Sequence, residues 1–214
     1  GSSGTETNGF QLLQNSIVTF KDGTLFSELG NIVIQNYSDL TLDDVTIEAR
    51  NAGYVVSNNC GNINFKGNTS ITAGPGSVAF DVCSFANYPG VTVNVDTTGT
   101  ITGKIEITRS DGNDGKGSLL IKNGTFEGTI YKSDSRAQVE ITGGTFSSNV
   151  SDYIPSGMTQ DKDGNVVVDT SKAVASVNGV GYDDLQKAIK NAGNGDTVTL
   201  LKDVPLEKQI TIST

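Results

Sequence analysis

Histidine and tryptophan are absent from this chain of 214 residues, methionine occurs once, and aromatic residues make up only 7%. Without an imidazole, no Ser-His or Cys-His catalytic pair and no His-bearing zinc site can be built. Positive charge is scarce as well: 15 Lys and Arg stand against 24 Asp and Glu, a net charge of −9. An acidic surface repels phosphate backbones, so no nucleic acid partner is expected. No apolar run approaches the roughly 20 residues of a membrane span, so no membrane insertion is expected either. No leader is visible, and Gly1-Ser2-Ser3-Gly4 reads as an expression scar. What the chain does have is 26 Gly and many Thr, Asn and Val. Short and β-branched side chains of this kind favour strands over a helical bundle and can still bury a core.

An internal repeat organises the chain. Leu119-Leu120-Ile121-Lys122-Asn123-Gly124-Thr125-Phe126 overlays Val139-Glu140-Ile141-Thr142-Gly143-Gly144-Thr145-Phe146. The same form recurs from Leu40, Ile63 and Val93, and successive copies start 23, 30, 26 and 20 residues apart. Each unit holds a short alternating strand, a Gly/Asn/Asp turn and a second short strand, too short and too punctuated for a helix. Units of this length with a variable loop are the mark of a stacked repeat. Stacked as coils of a solenoid, equivalent positions fall about 4.8 Å apart on parallel strands. Two columns then point inward: Leu42, Phe65, Val95, Ile121, Ile141, and Ile47, Ile71, Ile101, Phe126, Phe146. All ten are apolar, which sets the register.

The same register gives two polar columns. One carries a hydroxyl on every coil: Thr46, Ser70, Thr100, Thr125 and Thr145. The other alternates in sign through Asp43, Lys66, Asp96 and Lys122 before reaching Thr142. Opposite charges on neighbouring strands attract by roughly 0.2–1 kcal/mol a pair, so these residues have a structural role first. Asn58, Asn59 and Asn62 are placed for internal amide ladders near a coil corner. Aligning Val55-Val56 with Val78-Ala79 puts Cys60 and Cys83 at one position on successive coils. They suit either a disulfide in an oxidising compartment or a stacked pair of small thiols.

The texture changes after Met158. An Asp163-Gly164 turn between Thr159-Gln160 and Val166-Val167-Val168 predicts a β-hairpin. Tyr182 to Ala192 is spaced for the single helix, and Asp196 to Leu201 reads as a strand starting a new coil. The predicted architecture is all-β: a right-handed parallel β-helix over 5–158 with five or six coils, then a hairpin or linker over 159–172. Residues 173–214 follow as helix plus strands, either capping that solenoid or opening a second one.

The units Ile121-Lys122-Asn123-Gly124-Thr125-Phe126 and Ile141-Thr142-Gly143-Gly144-Thr145-Phe146 resemble the pectate-lyase-like, right-handed β-helix superfamily. More narrowly, they are similar to repeat regions of large surface proteins from Gram-positive anaerobes. Val177 to Tyr182, Asp184 to Ile189 and Gly195 to Val198 carry the same resemblance. It implies an extracellular or bacterial cell-surface location and neighbouring β-helix repeats as partners. It also implies two kinds of function. One is a non-enzymatic module in adhesion, in carbohydrate or host-protein binding, or as a rigid spacer. The other is a Ca²⁺-dependent polysaccharide lyase.

The residues favour the module. Lyase relatives use clustered carboxylates with an Arg or Lys base, and no column stacks two carboxylates beside Arg50, Arg109 or Arg136. Asp161-x-Asp163-x-Asn165 resembles the start of a calcium loop, but Val166 replaces the Gly and Lys172 the Glu that such a loop needs. A hairpin turn is expected there. The loop Asp111 to Gly117 is a second candidate for an ion or ligand, with a plain inter-coil loop as its simpler reading. No catalytic residue, metal or cofactor is therefore expected.

Overall fold

The computed structural model describes residues 8–84, 90–109, 116–206, 209–210 and 212, with the side chain of Arg109 left out. The chain winds as a parallel β-solenoid of about five turns, built rung by rung. The first rung is β1 (Asn8–Leu12) and β2 (Ile17–Phe26), and the second is β3 (Ile32–Asn36) and β4 (Asp39–Ala49). The third is β5 (Tyr54–Asn58), β6 (Asn62–Lys66) and β7 (Ser70–Ala73), and the fourth is β8 (Val78–Ser84) and β9 (Val91–Thr102). The fifth is β10 (Lys104–Arg109) and β11 (Gly117–Glu127), and the last is β12 (Ile130–Lys132), β13 (Gln138–Ile141) and β14 (Thr145–Phe146).

These strands stack into two parallel sheets. The first runs β1-β3-β5-β8-β10-β12, and the second runs from β2 through β4, β6, β9 and β11 to β13, with β7 and β14 continuing its rungs. Every link in the two predicted apolar columns is a register pair, from Leu42↔Phe65 to Ile121↔Ile141 and from Ile47↔Ile71 to Phe126↔Phe146. All ten side chains are buried. Strand alternation explains this directly: β9 reads Val91-Thr92-Val93-Asn94-Val95, and its burial alternates in step. Aromatic contacts join the layers, with Phe65 and Phe80 ring centroids 5.0 Å apart across the two sheets.

The bend inside the second sheet has its own chemistry. Asp22, Asp44 and Gly67 occupy the same corner on successive rungs, and all three backbones are left-handed, at φ 53°, 56° and 59°. Buried threonines close the corner from within. Thr69 Oγ1 donates to the Leu42 carbonyl at 3.0 Å and accepts from the Val45 N–H at 3.3 Å. Thr97 Oγ1 donates to the Thr69 carbonyl at 2.8 Å and accepts from the Gly99 N–H at 3.0 Å. Replacing Thr69 by valine keeps the volume and orphans the Val45 N–H. The expected cost is about 1–3 kcal/mol in urea unfolding, and a cost near zero would show that the hydroxyl is dispensable.

A hairpin closes the C-terminal end of the solenoid. β15 (Met158–Gln160) and β16 (Val166–Val168) pair antiparallel, and Met158 and Val166 join the main core. Phe146 N–H donates to the Gly164 carbonyl and Val166 N–H to the Gly144 carbonyl, both at 2.9 Å. The carboxylate of Asp161 accepts from the N–H groups of Asp163 and Asn165, each at 2.9 Å. Asp161 thus serves the hairpin turn, and the side chain of Asn165 leads the contacts that lower its pKa.

Beyond the hairpin, β17 (Ala175–Val177) sits between β18 (Val180–Tyr182) and β19 (Val198–Leu200), antiparallel to both. The single helix, α1 (Leu185–Asn191), is shorter than the predicted Tyr182–Ala192 because Tyr182 belongs to β18 and Asp184 is the cap. The Asp184 carboxylate accepts from Gln186 N–H at 2.7 Å and Lys187 N–H at 3.0 Å. Ala175, Val177 and Ala188 form a second, small core. Asp196 to Leu201 thus contributes β19, antiparallel to β17, and Val180 of β18 packs against the main core that Met158 and Val166 of the hairpin join. No helix among the described residues is long and apolar enough to cross a membrane.

Candidate functional site

The outer face of the second sheet carries the polar residues singled out in the sequence. Across β6, β9 and β11, Asn64, Lys66, Asn94, Asp96, Leu120 and Lys122 line a shallow cleft of about 580 Å³. Asn94 Nδ2 donates to Asn64 Oδ1 at 3.0 Å, an amide step from one rung to the next. The sheet brings these groups together because residues of one parity on a strand share one face, repeated every rung.

The charge column is only partly realised as ion pairs. Asp43 stands opposite Lys66, as expected, but its carboxylate contacts Lys21 of the preceding rung at 3.1 Å. The ladder shifts between Ile121 and Asn123, so Asn123 and not Lys122 lies opposite Asp96. Lys66, Asp96 and Lys122 are exposed and form no ion pair among the described residues. Their heads face the cleft instead of being spent on one another.

The hydroxyl column stacks in register through Thr46, Ser70, Thr100, Thr125 and Thr145, and Thr24 extends it to the first rung. Ser70 Oγ accepts from the Thr100 N–H at 3.1 Å, and Thr145 Oγ1 donates to Asn165 Oδ1 at 2.8 Å. From Thr46 to Thr145 this column is half-buried, and it holds the sheet to itself and to the hairpin.

No disulfide joins Cys60 and Cys83; both stay as buried thiols. The first sheet pairs Val56 with Phe80, so its register is one residue away from the alignment that matched the two cysteines. Asn59 is the residue opposite Cys83, while Cys60 N–H donates to the Cys83 carbonyl at 2.9 Å. Burial pushes the Cys83 thiol up to about 11, which keeps it protonated and unreactive.

A second polar cluster, on the first sheet, was not read from the sequence. Asp81 and Glu106 are register partners on β8 and β10. Glu106 accepts from the Tyr54 hydroxyl at 2.9 Å and forms an ion pair with Lys104. Asp81 is buried and accepts from the Asn58 N–H. Burial, with Glu106 adding to it, pushes the Asp81 carboxyl up to about 7, and burial followed by the Glu106 contact pushes the Tyr54 hydroxyl up to about 12. Near neutral pH the buried Asp81 carboxyl is therefore close to its midpoint of ionisation. Pairing β8 with β10 in the observed register would have exposed the Asp81–Glu106 pair.

Of the arginines considered for lyase chemistry, Arg50 is exposed and Arg136 contacts Asp134 at 3.4 Å. Arg109 lies on β10, and most of the Asp111–Gly117 loop falls outside the described residues. No group of three or more His, Cys, Asp or Glu residues placed to hold a metal ion occurs among the described residues.

Comparison with protein-family models, characterised proteins and solved structures finds no match for this chain. The class that fold and site define is a parallel β-solenoid with a polar cleft on its second sheet.

Proposed function

We propose that this chain is a non-enzymatic β-solenoid module of an extracellular, bacterial cell-surface protein, and that it binds carbohydrate along the cleft on the second sheet. The observation that carries this reading is the cleft itself. It offers amide donors and acceptors from Asn64 and Asn94, unpaired charges of both signs from Lys66, Asp96 and Lys122, and an apolar contact from Leu120. Repeated at rung spacing, this mix suits hydroxyl-rich polymers, which need many directional hydrogen bonds and little buried apolar area. The resemblance of residues 121–126 and 141–146 to surface-protein repeats supports the location.

The test is a glycan array run beside a polysaccharide depolymerisation screen, each with Ca²⁺ and with chelator. Binding without turnover is expected. Combined Asn94→Ala and Lys122→Ala substitution should weaken it at least about tenfold, a loss of about 1.4 kcal/mol. Unsaturated uronide products that vanish on chelation would replace this reading with a Ca²⁺-dependent lyase. Silence on the array would overturn the carbohydrate assignment and leave host proteins as the ligand class.

A further inference from the structure

The cleft over β6, β9 and β11 continues past β11. Leu120, which lines it on that strand, also lines a second opening of about 800 Å³ over the last rung. The register of the sheet joins the two: Asn64 pairs with Asn94, Asn94 with Leu120 and Leu120 with Glu140. Side chains at these equivalent positions share the outer face, so the column is a continuous floor along the solenoid axis. Its four rungs span about 14 Å at the usual strand spacing.

The second opening has a wall as well as a floor. Asp152 and Tyr153 line it from the short 3-10 turn Ser151–Tyr153. That turn is pinned on its approach. Val150 is buried and its N–H donates to Gln160 Oε1 at 3.0 Å, while Gln160 Nε2 donates to the Ser148 carbonyl at 2.9 Å. Asn149 Oδ1 then accepts from the Ser151 N–H at 2.9 Å. Tyr153 packs against the main core, so it meets the opening from a fixed place.

Charge is divided along this floor. The first opening holds Lys66 and Lys122 with Asp96, and the second holds Glu140 and Asp152 with Lys132. One half has a cation in excess and the other an anion in excess. None of the six forms an ion pair among the described residues, although Lys21, Lys104, Lys162, Lys172 and Lys187 are each paired with an acid elsewhere. Both halves therefore keep charge to offer a ligand.

We propose that the two openings are one groove, which holds an extended polysaccharide along the solenoid axis, and that this polysaccharide carries both acidic and amino groups. The inference rests on the carbohydrate reading and names the class of sugar. Acidic groups fall to Lys66 and Lys122, and amino groups to Glu140 and Asp152. Asn64 and Asn94 take ring hydroxyls, and Leu120 and Tyr153 supply apolar contact where the halves meet and at the far wall. The opposite signs of the two halves give the bound chain a direction.

Calorimetric titration of the full chain with hyaluronan oligosaccharides, before and after removal of their N-acetyl groups, tests the groove. Removal keeps the uronates and adds amines. The de-N-acetylated series should bind at least about tenfold more tightly, and its affinity should rise from disaccharide to hexasaccharide. Combined Glu140→Lys and Asp152→Lys substitution should erase that gain while the parent series binds as well as before or better. Combined Lys66→Glu and Lys122→Glu substitution should weaken both series, with circular dichroism unchanged in each variant. Equal affinity for the two series, affinity that stops rising at the disaccharide, or a preference for neutral cello-oligosaccharides would overturn the groove and leave the carbohydrate reading standing. No binding of any of these sugars, together with silence on the glycan array, would overturn both.

Discussion

Replacing Asn36 with leucine is expected to cost at least about 4 kcal/mol, a large part of the 5–15 kcal/mol that a domain of this kind holds. Asn36 is fully buried at the inner corner of β3, and its amide is used on every side. Nδ2 donates to Asn58 Oδ1 at 2.8 Å, to the Asn62 carbonyl at 3.1 Å and to the Ser38 carbonyl at 3.2 Å. Oδ1 accepts from the Ser38 hydroxyl at 2.7 Å and the Ser38 N–H at 3.0 Å. Asn58 continues the ladder, donating to the Gly61 carbonyl at 2.8 Å. A Cβ on Gly61 would lie 2.2 Å from Asn36 Nδ2, so the glycine is what leaves room for the amide. Leucine matches the branching of asparagine but is larger, so the loss combines overpacking against partners 2.7–3.2 Å away with orphaned groups, each worth about 1–3 kcal/mol when buried. The control is Asn94→Ala, which removes one half-buried amide contact and should cost about 1 kcal/mol or less. Urea unfolding of the two variants separates the cases, and an Asn36→Leu cost as small as the control's would remove the ladder from the account of stability.

The contrast between these two asparagines shows what the residues alone could tell. Period-two alternation repeated over five units made the second sheet legible, because a slip of one residue would have turned all ten apolar side chains outward. That argument fails on the first sheet. Every residue of β8, from Val78 to Ser84, is buried, so the strand shows no alternation to set its register against β5. A one-residue error there matched Cys60 to Cys83, and the Asp81–Glu106 pair went unread because β10 was not aligned with β8 at all. The shift at Asn123 was hidden for another reason: the turn after Ile121 is one residue shorter than those after Phe65 and Val95, and only backbone pairing reveals where the ladder absorbs the difference. Asn58 was read as a corner amide, whereas its partner Asn36 lies at the end of β3, just ahead of Leu40 where the repeat alignment begins. The helix was legible from its one apolar face. Its strand partners were not, since three-residue strands carry too little pattern to tell antiparallel from parallel pairing.

The second large effect is a pH dependence set by Asp81. Its carboxyl titrates near 7 in the folded chain against an ordinary value of 3.8, because burial disfavours the charge and the neighbouring Glu106 opposes it, while the Asn58 N–H only partly compensates. Between about pH 4 and 7 the folded chain therefore holds a proton that the unfolded chain has released. Stability should fall as pH rises through that window and level off above it, by at most about 4 kcal/mol. The groups around Asp81 do not cancel this slope. Glu106 is held by Lys104 and the Tyr54 hydroxyl, and Tyr54 and Cys83 both titrate far above the window. The lowered surface carboxylates Asp161, Asp169, Asp183 and Asp196 act in the opposite sense: their stabilisation is lost only as pH falls below the ordinary carboxylate range. Asp81→Asn keeps an acceptor for the Asn58 N–H and removes the ionisation. The variant should match the parent near pH 4 and exceed it by several kcal/mol at pH 8, with the difference opening between the two. Parallel stability curves for parent and variant across that range would mean that Asp81 is already ionised in acid, and that its burial is relieved by a group other than those named here.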